Sequence, residues 1–90
     1  MRRSVDVVVR GQVQGVSFRA YAEEQARRLR VAGWIRNEPD GSVAGHFEGD
    51  QLAVEALVEW CRTGPRLARV DGVDVRESPP QGAGAFAIRY

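Results

Sequence analysis

The sequence predicts an α+β fold of element order βαββαβ, an antiparallel sheet with two helices packed on one face. Three observations carry this expectation. Valines occupy every second position from Val5 to Val9, two separate stretches repeat apolar residues at threes and fours, and a Glu-Pro-Asp-Gly turn at 38 to 41 joins two strand-like runs.

Val5, Val7 and Val9 alternate with Asp6, Val8 and Arg10, the period of a strand, and Gly11 is expected to open a loop, Gly-Gln-Val-Gln-Gly-Val-Ser (11 to 17). From Phe18 the apolar positions Phe18, Tyr21, Ala22, Ala26 and Leu29 follow helical spacing, with Glu23, Glu24, Arg27, Arg28 and Arg30 on the other face. Acids early and arginines late also suit the helix dipole. Val31 to Asn37 and Ser42 to Glu48 read as paired strands, because Pro39 presets φ and Gly41 accepts a positive one.

Asp50 is a natural N-cap for a second helix whose buried stripe is expected at Leu52, Ala53, Ala56, Leu57, Trp60 and Cys61. Gly64-Pro65 ends it, the glycine as cap and the proline as a bar to continuation. Ala68 to Arg76 is a fourth strand with a bulge expected at Asp71-Gly72, where the valine alternation slips by one. After a Pro- and Gly-rich loop, Ala85 to Tyr90 closes the chain as a last strand with Phe86, Ile88 and Tyr90 on one face. This order matches the ferredoxin-like arrangement.

Residues 1–90 read as a single domain, with no internal repeat or linker; a chain of this length buries about 60% of the surface its unfolded form exposes. Hydrophobic residues at 43%, charged residues at 28% and a net charge of +1 describe an ordinary soluble globular chain, neither disordered nor a polyelectrolyte. All 13 basic residues are arginines, scattered among 12 acids. A composition bias accounts for this, whereas a nucleic-acid surface needs clustering on one face. Apolar runs such as Val7 to Val9 are far too short to cross a bilayer, and no signal-peptide pattern opens the chain, so a cytoplasmic protein with no membrane partner is expected. Cys61 is the only cysteine, which excludes an internal disulfide and CxxC chemistry.

Gly11 and Gly15 bracket a strand-to-helix loop, a geometry that can turn successive backbone N–H groups inward as an anion nest, with the helix N-terminus behind it. Arg19 in the first helical turn can reach the space in front of that nest and contact two phosphate oxygens. Glycine pairs also serve turn geometry alone, and many helices carry an exposed arginine. A right-handed crossover makes the first two strands parallel, so Asn37 ends on the same edge as the loop. An asparagine before Pro-Asp-Gly equally suits a plain hairpin.

Gly-Gln-Val-Gln-Gly-Val-Ser-Phe-Arg (11 to 19) resembles the signature loop of the acylphosphatase family, Gly-x-Val-Gln-Gly-Val-x-Phe-Arg. Gly-Trp-Ile-Arg-Asn (33 to 37) with Pro39 to Val43 resembles its second signature, and Trp60 to Pro65 with Ala68 to Val70 is similar to its later half. The resemblance implies a metal-independent hydrolase of the carboxyl–phosphate bond, with Arg19 and Asn37 catalytic. Arg19 would bind the phosphate together with the backbone amides of Gln14, Gly15, Val16, Ser17, Phe18 and Arg19, and Asn37 would orient the attacking water. It further implies a small acyl phosphate as substrate and no cofactor; a domain with this pattern can stand as a monomer, and no nucleic-acid partner is expected. Glu38 and Gly45-His46 depart from the usual family pattern without removing a catalytic group.

Such chemistry needs few groups, since a leaving carboxylate of pKa about 4 requires no general acid. No Cys, His or Ser stands beside the loop with an evident base, so direct hydrolysis is expected rather than a phosphoenzyme. His46 is expected at the surface or half-buried, Cys61 as a buried small hydrophobe, and Ser17 as a helix cap or a phosphate contact. The rival reading is a ferredoxin-like RNA-binding module, against which the first strand offers no aromatic residue and the third only Phe47.

Overall fold

A computed structural model describes residues 1–90. The elements are β1 (Arg2–Gln12), α1 (Phe18–Leu29), β2 (Ala32–Asn37), β3 (Val43–Asp50), α2 (Gln51–Thr63), β4 (Arg69–Glu77) and β5 (Ala87–Arg89). They form one five-stranded sheet in the order β4-β1-β3-β2-β5, with α1 and α2 packed against each other and on the sheet.

The sheet is mixed, which corrects the expectation of a purely antiparallel one. β1 pairs antiparallel with β3 and β4, and β2 with β3, but β5 runs parallel to β2. The reason lies in the route of the chain. β4 ends beside the start of β1, with Val5 opposite Glu77, and residues 78 to 86 then cross to the far edge of the sheet. They arrive where β2 begins, so β5 must run with β2.

Val5, Val7 and Val9 are fully buried and face the helices, as the alternation predicts, together with Ile35, Val43 and Phe47. β1 does not stop at Gly11. It continues to Gln12, and Gly11 is a strand glycine at φ 130° where a Cβ would run into the Arg69 carbonyl. Arg10 pairs with Gly72 and Gly11 with Val70, leaving Asp71 as the extra residue of the expected bulge.

α1 spans the predicted residues, yet its first turn holds no acid, because Glu23 and Glu24 lie in the second. In α2 the Asp50 side chain accepts from the Leu52 N–H at 3.1 Å, the predicted cap. The buried stripe is Val54, Leu57, Val58 and Cys61, rotated from the expected one, and Leu52 is exposed. Phe18 and Trp60 join the two helices with ring centroids 5.3 Å apart.

His46 is fully buried rather than at the surface or half-buried. It lies on the sheet face away from the helices, where residues 78 to 83 cover it. Its Nδ1 is 2.7 Å from Asp6 Oδ1 and its Nε2 is 2.6 Å from Glu48 Oε2. The N–H groups of Gln81 and Ala83 donate to the Glu48 carboxylate, and Trp34 Nε1 donates to Gln81 at 3.0 Å.

Candidate active site

β1 and β2 are both antiparallel to β3, so their C-terminal ends meet at one edge of the sheet. The loop 13 to 17 leaves one end and Asn37 closes the other. Gly15 (φ 76°) and Ser17 (φ 61°) both take left-handed backbone conformations. For Ser17 this conformation costs on the order of 1 kcal/mol, so the loop holds a shape that its local preferences oppose. None of the backbone hydrogen bonds outside helices and strands is donated by Gln14, Gly15, Val16 or Ser17. Four N–H groups before α1 thus have no backbone acceptor within the protein, and a loop of this kind at a helix N-terminus can take an anion.

Two anchors keep the loop in place. The Phe18 ring is buried against Trp60. The Gln14 side chain donates to the Glu38 carbonyl at 2.8 Å and to the Ser42 carbonyl at 2.9 Å, strapping the loop to the β2–β3 hairpin. That hairpin is itself tightened at Asp40, whose carboxylate accepts from Ser42 Oγ at 2.6 Å and from the Ser42 N–H at 2.9 Å. The Ser42 hydroxyl and N–H hold the Asp40 carboxyl below its ordinary pKa.

Arg19 is partly exposed in the first turn of α1. Its Nη1 donates to the Arg89 carbonyl at 3.2 Å and its guanidinium stacks over Tyr90, 4.8 Å from the ring centroid. No carboxylate pairs with it. Glu38, the acid nearest Asn37 in sequence, pairs instead with Arg36 at 3.2 Å.

Gly15, Ser17, Phe18, Arg19 and Asn37 line a single hollow of about 360 Å³, closed by Val13, Ile88 and Tyr90. Of the residues singled out in the sequence, Gln14 and Val16 do not line it. Gln14 turns to the hairpin, and Val16 lines a neighbouring hollow. Ser17 forms no side-chain cap, so its hydroxyl is left at the hollow. Nothing local in the sequence marks Ile88 and Tyr90 for this hollow, since they belong to the C-terminal segment that only tertiary packing brings to Arg19.

An acylphosphatase family model matches residues 5–88. A Nocardioides sp. protein named acylphosphatase is 62% identical over 89 residues, covering 99% of this chain and 90% of that protein. The chain belongs to the acylphosphatase family. Solved acylphosphatase structures agree with the fold. The one from Bacillus subtilis superposes with a TM-score of 0.94 at 34% identity, covering 100% of both chains. The one from Coxiella burnetii gives 0.94 at 32% identity, covering 98% of this chain and 93% of that one. In this acylphosphatase-family chain, the two segments that resemble the family signatures, 11 to 19 and 33 to 37, are the ones whose ends line the hollow with Arg19 and Asn37.

Proposed function

We propose that this chain hydrolyses the carboxyl–phosphate bond of a small acyl phosphate to a carboxylate and inorganic phosphate, without a metal or other cofactor. The observation that carries the reading is the single hollow lined by Arg19, Asn37 and the loop residues Gly15 and Ser17, whose backbone N–H groups have no backbone acceptor within the protein.

The phosphoryl group sits in the loop, its oxygens accepting from the amides of residues 14 to 19 and from the Arg19 guanidinium. Asn37 holds a water through its side-chain amide in line with the bond to be broken. The water oxygen bonds to phosphorus, the phosphorus–oxygen bond to the acyl group breaks with its electron pair, and that pair leaves on the carboxylate. The water's protons pass to phosphate and solvent. The carboxylate leaves unaided, so fixed dipoles on the phosphoryl oxygens and placement of the water supply the catalysis. The contacts of Arg19 with Arg89 and Tyr90 orient its fork before substrate arrives, which reduces the ordering cost.

The remaining features follow the same reading: a ferredoxin-like domain over residues 1–90 extended by one parallel edge strand, acting as a cytoplasmic monomer. No helix is long and apolar enough to cross a membrane. RNA binding is disfavoured, because segment 78 to 83 lies over the sheet face that bases would stack on and Asp6 and Glu48 lie beneath it.

The test is hydrolysis of benzoyl phosphate in excess chelator by the wild type, Arg19→Ala and Asn37→Ala. Loss of Arg19 should lower kcat/KM at least ~100-fold, the scale of a preorganised charge-stabilising donor. Loss of Asn37 should lower kcat more than it raises KM. A folded wild type that turns nothing over would sink the reading.

A further inference from the structure

A second hollow of about 570 Å³ adjoins the first, between α1 and the α2–β4 loop. Gly15 and Ser17 belong to the walls of both, so the phosphate cradle opens into it. Its other walls are largely apolar: Val16, Tyr21, Trp60 and Leu67. Tyr21 is 50% exposed and Leu67 is 77% exposed, so both retain apolar surface that a ligand can cover. No acidic side chain lines either hollow, and Arg66 at the edge of the second makes no ion pair. A dianionic substrate therefore meets no acidic side chain in either.

Resting on the activity proposed above, we infer that this groove receives the acyl group of the substrate and selects acyl phosphates whose acyl group is bulky and apolar, a ring or a branched chain, over acetyl phosphate. The cradle reads only the phosphate, which every acyl phosphate shares. Discrimination must come from what the acyl group touches next, and the apolar surface continuous with Gly15 and Ser17 is the Tyr21–Trp60–Leu67 groove. Trp60 is held by its contact with Phe18, so it offers a fixed face. Tyr21 and Leu67 stand on separate elements, α1 and the α2–β4 loop, and would close on the acyl group from either side. The groove is far larger than an acetyl methyl, which would leave it unfilled and gain little from it.

The experiment compares steady-state hydrolysis of acetyl and benzoyl phosphate by the wild type, Tyr21→Ser, Leu67→Ser and Leu52→Ser. The two leaving carboxylates have similar pKa values, between about 4 and 5, so a difference in KM reports acyl binding more than leaving-group chemistry. The wild type should show a KM for benzoyl phosphate lower by roughly tenfold, the effect of burying a ring-sized apolar group. Tyr21→Ser and Leu67→Ser should each shrink that preference by about fivefold, chiefly through the KM for benzoyl phosphate. Leu52, 75% exposed and outside both hollows, serves as the control, and its replacement should leave the preference intact. Hydrolysis of both substrates with a preference that neither groove variant moves would overturn the groove assignment while leaving the activity standing. No hydrolysis of either substrate by folded wild type would overturn the activity itself and the groove with it.

Discussion

Cys61 lies on the buried side of α2 with no exposed surface, and burial pushes its thiol up to about 12, with Arg62 pulling weakly the other way. The thiolate, the reactive species, is therefore scarcely present near neutral pH. Native protein at pH 8 should resist a thiol-reactive dye over hours and take up one equivalent in denaturant; rapid native labelling would contradict the burial. His46 is equally buried yet polar throughout. A neutral imidazole has one N–H to give and a charged one has two, while His46 faces a carboxylate on each side. Its sequence neighbours Phe47 and Glu48 suit a surface or half-buried position, because nothing local records that residues 78 to 83 return to cover it.

At the scale of elements, the helices, the hairpin and the Asp50 cap were legible because each rests on residues within a few positions of one another. The 11–19 loop and Asn37 were legible for a second reason: parallel β1 and β2 must end on one edge. What escaped was set by distant packing. α2 is apolar at so many positions that two stripes can be drawn, and only contact with the sheet selects Val54, Leu57, Val58 and Cys61. The direction of β5 depends on a crossing segment with no periodicity. The Gln14 strap escaped too, since its acceptors are backbone carbonyls of residues 38 and 42, which side-chain identity does not mark. This strap fixes the loop relative to Asn37, so Gln14→Ala should lower kcat/KM by roughly tenfold with little loss of stability. Gln14→Glu should do at least as much harm, because a carboxylate would face two carbonyls with nothing to donate. Activity unchanged in both would show that the loop holds its place without the strap.

For the molecule as a whole, the Asp6–His46–Glu48 cluster ties three parts together: β1, β3 and the segment that carries the chain across to β5 and the Arg19 contacts. Burial pushes the Glu48 carboxyl up, but the Gln81 N–H, His46 and the Ala83 N–H together outweigh it and hold the group below its ordinary value of 4.5. A carboxyl whose folded pKa is depressed contributes stability that is present above its unfolded value and lost as pH falls through the folded one. Stability measured by urea unfolding should therefore be level from pH 8 to about 5.5 and decline below about 4.5, with Asp40, also depressed, adding to the fall. Glu48→Gln should cost about 1–3 kcal/mol at pH 7, because the buried donors at Gln81 and Ala83 lose an ionised acceptor. It should also make the acid decline shallower than in the wild type. Two profiles displaced by a constant amount at every pH would mean that Glu48 is not the ionisation being lost. If the cluster does hold the crossing segment, Glu48→Gln should also make amide exchange at Gln81 and Ala83 faster, ahead of any change in the β1–β3 ladder.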